Sequence, residues 1–173
     1  KRVVVGMLDP NPLVAGGGVR RLREAGIQVT VGVLEEECRK LNEVFIHYIT
    51  KRKPFVVLKA AMSLDGKIAA PSGESKWITG EEARRDVQSL RNRYPAIMTG
   101  VGTVIMDDPK LTCRLSGGRN PQRIILDSRL RIPKDSRVLA DPSGNAAIIA
   151  YTDRAPEEKV KCLEDMGARL LCC

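Results

Sequence analysis

Apolar and polar positions along the chain follow two alternating periods. Residues 3–8 form a short apolar run of the kind a buried strand makes, and Asp9-Pro10-Asn11-Pro12 ends it as a turn with two prolines. Residues 14–25 place Val14, Val19, Leu22 and Ala25 at helical spacing and stop at Gly26, a helix-ending residue. Residues 27–33 alternate as a strand does. Residues 34–49 carry Leu34, Cys38, Leu41, Phe45 and Tyr48 three or four apart, which predicts one amphipathic helix. The first fifty residues thus read β-α-β-α, too short a piece to bury a large core. Thr50-Lys51-Arg52-Lys53-Pro54 is polar and ends in proline, and residues 51–54 are the expected linker.

A second unit is expected over residues 55–173. Residues 55–62 read as another buried strand, followed by a turn at Ser63-Leu64-Asp65-Gly66-Lys67 and a polar loop over residues 72–76. Thr79-Gly80-Glu81-Glu82 has the spacing of a capping box, with Thr79 as N-cap and Glu82 at the third helical position. The helix it opens is expected to reach about Arg93. Residues 96–99 form a short strand, and Gly100-Val101-Gly102-Thr103 a glycine-rich turn before the apolar run 104–106. Residues 123–126 and 146–150 are further strands, 156–166 a helix and 169–172 a last strand. This alternation predicts an α/β protein with a largely parallel sheet.

Composition narrows the class. At 43% hydrophobic and 29% charged residues, the chain is neither disordered nor collagen-like. No run approaches the roughly 20 apolar residues of a membrane span. The first ten residues have no signal-peptide core, and their strand-like start suggests a piece of something longer. The net charge of +8 is uneven, +1 over residues 1–50 and +7 over 51–173, which favours an anionic partner for the second unit. Six scattered aromatics offer little for stacking bases, so a nucleotide phosphate is the expected anion rather than a nucleic acid. Five cysteines without a CxxC pair, and a single His47, predict no metal site and suit a reducing cytoplasm. Cys38 and Cys162 read as small residues on helix faces.

In parallel sheets ligands gather beyond the carboxyl ends of strands. Three segments are expected there: the end of 55–62 with the turn after it, Gly100-Val101-Gly102-Thr103, and Asp127-Ser128. The glycine-rich turn suits a phosphate or an amide, or is only a tight turn. Asp107-Asp108-Pro109 is either a carboxylate pair or a helix stop. Lys59 lies inside an apolar run, where a lysine is costly unless paired, so it is either functional or snorkelling to water. Trp77 in a polar loop can stack a ligand or anchor a core. Arg91 and Arg114 can clamp a phosphate through paired N–H donors.

The stretch Lys59-Ala60-Ala61-Met62-Ser63-Leu64-Asp65-Gly66-Lys67, followed by Ser72-Gly73-Glu74-Ser75-Lys76-Trp77-Ile78-Thr79, resembles the start of the reductase domain of the bifunctional riboflavin-biosynthesis deaminase/reductase family. Arg84-Arg85-Asp86, Gly100-Val101-Gly102-Thr103-Val104, Asp107-Asp108-Pro109-x-Leu111-Thr112-x-Arg114 and Ile125-Leu126-Asp127-Ser128 continue the pattern in order. Asp9-Pro10-Asn11-Pro12-x-Val14-Ala15-Gly16-x-Gly18 and Ala25-Gly26-Ile27 resemble the tail of that family's deaminase domain. The likeness runs over about residues 1–130. It implies a dihydrofolate-reductase-like α/β domain preceded by the β-α-β-α tail of a cytidine-deaminase-like domain. It also implies NADPH-dependent reduction of the ribosyl group of 5-amino-6-(5-phosphoribosylamino)uracil. Carried onto this chain, Ala61, Trp77, Thr103, Asp107 and Ser128 would touch NADP, and Ser75, Arg91, Leu111 and Arg114 the substrate. Lys59 would lie near the reacting sugar, where an ammonium can polarise or protonate an oxygen or imine nitrogen. Lys59 and Asp107 are the catalytic candidates.

Two departures accompany the resemblance. The zinc ligands of the family's deaminase, a histidine and two cysteines with a proton-moving glutamate, have no counterpart here. The glycine-rich cofactor loop and substrate glutamate expected near the family's carboxyl end are also absent. Such a chain is expected to be inactive by itself, and a cut sheet with an open edge favours a homo-oligomer. The competing readings are a non-catalytic reductase-like nucleotide-binding module and a basic nucleic-acid binder. The first would bind ligand without turnover, the second with steep salt dependence.

Overall fold

The computed structural model describes residues 1–140 and 145–173. They form an α/β protein of two compact units, Lys1–Ala60 and Ala61–Cys173. No helix among the described residues is long and apolar enough to cross a membrane.

In the first unit, β1 (Arg2–Val5) pairs in parallel with β2 (Gln28–Val31), Val3 lying opposite Val29. Helix α1 (Gly17–Glu24) connects them. It starts later than the spacing predicts. The Asn11 carbonyl accepts the N–H groups of Val14 (2.9 Å) and Ala15 (2.8 Å), and Gly16 turns at φ 71°, so these residues form a turn ahead of the helix. The long helix expected after β2 is two helices, α2 (Glu35–Leu41) and α3 (Glu43–Lys51). The break falls at Asn42, at φ −103° and ψ 15°, whose side-chain amide donates to the Cys38 carbonyl at 2.8 Å. Asparagine thus offers the backbone an alternative to the helical ladder, which apolar periodicity does not register. Cys38 is half-buried on α2 against Gly6.

The second unit holds a four-stranded sheet of β3 (Ala96–Gly100), β4 (Gln122–Leu126), β5 (Ile148–Tyr151) and β6 (Arg169–Cys172), in that order and parallel throughout. Helix α4 (Glu81–Arg93) leads into β3. Helix α5 (Val101–Asp107) crosses from β3 to β4, and α6 (Glu157–Asp165) from β5 to β6. Parallel neighbours need such crossovers. The core joins Val101 and Val104 of α5, Ile125 of β4, Ile149 of β5 and Leu163 of α6, with Leu130, Ile132 and Val138 from the β4–β5 connection. Each such buried side chain contributes about 1.5–3 kcal/mol. Inward positions alternate along β4, so Arg123, Ile125 and Asp127 are all buried while Leu126 is exposed. The buried Arg123 guanidinium donates to the carbonyls of Val138 (2.7 Å) and Asn145, fastening the connection over the sheet.

Three expectations are corrected here. Residues 55–62 are not a strand. No strand among the described residues pairs with them, and an apolar run without a ladder partner stays irregular and open to water. Val56 is 82% exposed and Leu58 91%. Lys59 is exposed as well, so the cost of a buried lysine does not apply. Thr79 does not cap α4. Gly80 is the N-cap without a side-chain bond, and the Thr79 carbonyl instead accepts Arg84 Nη1 at 2.6 Å. The glycine-rich turn is absorbed into α5, which starts at Val101 directly after Gly100.

Candidate functional site

Parallel pairing aligns Gly100 with Leu126 and Leu126 with Ala150, so the segments after β3, β4 and β5 all leave the carboxyl end of the sheet. Thr103 and Ser128 lie on two of these adjacent segments, and both are exposed. Ser128 is held by its main chain. Its carbonyl accepts the Thr152 hydroxyl at 2.9 Å and the Thr152 N–H at 3.2 Å. Beneath it the buried Asp127 carboxylate accepts the Ile132 N–H at 2.8 Å, closing the turn. Both hydroxyls thus lie beyond the carboxyl ends of neighbouring parallel strands.

A second group surrounds a cavity of about 320 Å³ lined by Ser63, Lys67, Glu74, Ser75, Lys76 and Trp77 among others. Trp77 is 69% exposed and is therefore no core anchor. The Arg84 guanidinium lies 4.5 Å from its ring centroid, a cation–π contact that holds the indole in place. Lys76 Nζ lies 4.0 Å from Asp107 Oδ1, so this loop reaches the last residue of α5. Both groups are partly exposed, and the ion pair is weak. Asp107 and Asp108 do end a helix: Asp108 sits at φ 39° and accepts the Arg137 N–H at 2.8 Å, which leaves Asp107 facing Lys76.

The third group is cationic. Half-buried Arg91 of α4 donates through Nη1 to the Thr112 carbonyl at 2.9 Å, and its buried Nε has no hydrogen-bond partner. Burial, then the neighbouring charge of Arg114, push the Arg91 guanidinium below its ordinary value, although an arginine so shifted is still a cation at neutral pH. Among the described residues neither arginine pairs with an acid. Arg91 grips the loop two residues before Arg114, and with no acid at either and one donor orphaned the two are a candidate anion site.

The remaining residues fall less neatly. Leu111 is 6% exposed and packs in the core at φ 55°, so its side chain is not open to a ligand. Ala61 is half-buried at the start of the second unit. Lys59 belongs to the first unit. Sequence reading missed Gln88, Asn92, Asn120 and Thr152, which hold the loops that carry Arg114 and Ser128. The positions 88, 91 and 92 lie one helical turn apart and share a face, a signal present in the spacing. Among the described residues no three His, Cys, Asp or Glu side chains converge to hold a metal.

Comparison with known proteins places these features in a family. Residues 54–171 match the model of the RibD C-terminal domain. The riboflavin biosynthesis protein RibD of Actinobacillus pleuropneumoniae is 47% identical over 173 residues, covering 100% of this chain and 46% of that protein. RibD of Aquifex aeolicus is 49% identical over 162 residues, covering 93% of this chain and 46% of its own length. A crystal structure of a diaminohydroxyphosphoribosylaminopyrimidine deaminase/5-amino-6-(5-phosphoribosylamino)uracil reductase from Thermotoga maritima superposes with a TM-score of 0.81 at 43% identity, covering 100% of this chain and 54% of that one. The chain thus spans about half the length of the curated relatives it matches. With two thirds of its residues inside the matched domain and its whole length shared with these relatives, the chain belongs to the RibD C-terminal domain family.

Proposed function

We propose that this chain supplies cofactor- and substrate-binding parts of a riboflavin-biosynthesis reductase. The reaction is NADPH-dependent reduction of the ribosyl group of 5-amino-6-(5-phosphoribosylamino)uracil to the ribityl form. The carrying observation is the half-buried Arg91 beside Arg114, without an acid partner among the described residues, at the positions where the resemblance places the substrate phosphate. Ser75, which the resemblance assigns to the same substrate, lines the cavity beside Trp77.

The residues present fit NADP. Trp77 offers an exposed ring, and Thr103 and Ser128 offer exposed hydroxyls at the carboxyl end of the sheet. When bound, the cofactor supplies a hydride to the sugar carbon. The chain's own residues orient the reactants and deliver the accompanying proton. Asp107, whose Oδ1 lies 4.0 Å from Lys76 Nζ, is the candidate for that delivery within the second unit. The zinc-dependent deamination implied by the resemblance has no ligand set among the described residues. We place the protein in the cytoplasm, which suits its five free cysteines, and infer that it pairs with a second copy through open apolar surface.

Titration of the chain with NADPH, with NADH as control, tests the reading. Trp77 is the sole tryptophan and reports binding by fluorescence. Saturable quenching that prefers NADPH is expected. Failure to bind both NADPH and ribose 5-phosphate would overturn the assignment of these sites to this chain.

A further inference from the structure

The loop that carries Leu111 and Arg114 has no helix or strand of its own up to Pro121, yet it is held at several points. Three of the anchors come from one face of α4. Gln88 is 8% exposed, and its side-chain Oε1 accepts the main-chain N–H of Arg114 at 3.0 Å. Its main-chain carbonyl takes the Cys113 thiol at 3.6 Å. Arg91, one turn on, holds the Thr112 carbonyl, and Asn92 Oδ1 accepts the Arg119 N–H at 2.8 Å. Within the loop, Asn120 Oδ1 accepts the Cys113 N–H at 2.9 Å.

Two neighbouring guanidiniums repel each other. A free loop would swing the exposed Arg114 away from Arg91 whenever no anion lies between them. From this arrangement we infer that Gln88 is a positioning residue for the anion site: its buried amide oxygen pins the Arg114 main chain and holds the two arginines together for a phosphate. The inference rests on the reading of Arg91 and Arg114 as the phosphate site. Chemistry explains why the residue is glutamine. The role needs an acceptor reaching from the helix, which leucine lacks. It also needs a neutral one, because a carboxylate there would sit beside two cations and compete with the ligand. The bond is preorganisation, since it fixes geometry before the ligand arrives and touches no ligand itself.

Calorimetric titration with ribose 5-phosphate, with ribose as the uncharged control, tests the inference on the chain and on Gln88→Leu. The variant is expected to bind ribose 5-phosphate about tenfold more weakly, the order of loss that misplacing a binding group produces. Its NADPH-dependent Trp77 quenching should be unchanged. Asn120→Ala, which loosens the same loop from the other side, should weaken ribose 5-phosphate in the same direction by a smaller factor. Unchanged affinity in Gln88→Leu, or an equal loss for NADPH, would overturn the positioning role. If Gln88→Leu does not fold, unchanged affinity in Asn120→Ala overturns it. If the unsubstituted chain fails to distinguish ribose 5-phosphate from ribose, the phosphate-site reading itself falls.

Discussion

Gly6 faces Cys38 so closely that a Cβ at position 6 would enter the space of the Cys38 sulfur and also press on the Val33 carbonyl. The backbone cannot give way without disturbing β1, so Gly6→Ala is expected to destabilise the first unit by about 1–3 kcal/mol, the usual cost of overpacking. A lowered thermal midpoint checks this, and Gly6→Ala combined with Cys38→Ala should recover most of the loss. Asp127 presents a second case. Its carboxylate ties the turn below Ser128 through the Ile132 N–H, and its Oδ1 is buried without a hydrogen-bond partner. Asp127→Ala leaves a buried N–H unsatisfied and should cost about 1–3 kcal/mol, whereas Asp127→Asn keeps an acceptor and should cost less. Asp65 behaves differently because it is exposed. The Ser63 hydroxyl, donating to it, holds its carboxyl below the ordinary 3.8. The sign follows: the turn gains from the ionised form above that value and loses it as the pH falls through the lower folded value. A carboxyl-carbon NMR titration should show the lower midpoint, and Ser63→Ala should raise it.

At the scale of elements, the apolar run 55–62 shows how a strand pattern differs from a strand. Its composition fits a buried strand, but the ladder partner that would make it one is missing among the described residues. Hydrogen exchange tests this. The amides of Val56, Val57 and Leu58 should exchange at nearly unprotected rates, while those of Ile125 and Ile149 in the central strands should be slowed by orders of magnitude. Strong protection at 56–58 would show that the run has found a partner strand. The same contrast explains what the sequence conveys. The strands β3 to β6 and helix α6 were readable because their apolar periods are met by neighbours within the second unit. The split at Asn42, the start of α4 at Gly80 and the merging of the glycine turn into α5 were not, because single hydrogen bonds and dihedral choices decide them. Of the candidate site, Arg91, Arg114 and Trp77 were named from residue type and context, with ligand stacking and core anchoring both left open for Trp77. Gln88 and Thr152 were not, because their work is done on the main chain of a distant loop, and the spacing of 88, 91 and 92 tells only that they share a helix face.

For the whole molecule the deciding quantity is charge. A net +8 concentrated in residues 51–173 suits a nucleic acid or a small anion equally well when only the sum is considered. The distribution separates them. A nucleic-acid surface spreads many solvated cations along a backbone, and each phosphate contact releases a counterion, so affinity collapses as salt rises. Here the proposed site is half-buried Arg91 and exposed Arg114, two charges rather than a diffuse surface. Ribose 5-phosphate affinity is therefore expected to fall only a few-fold between about 50 and 300 mM salt, since one or two charge contacts are involved. Any binding of random-sequence DNA should fall by orders of magnitude over the same range. Paired titrations at the two salt concentrations check this. A steep decline for the sugar phosphate would mean that it is held by the diffuse surface charge. It would then remove Arg91 and Arg114 as a built site, because two charge contacts are too few to give a steep salt dependence.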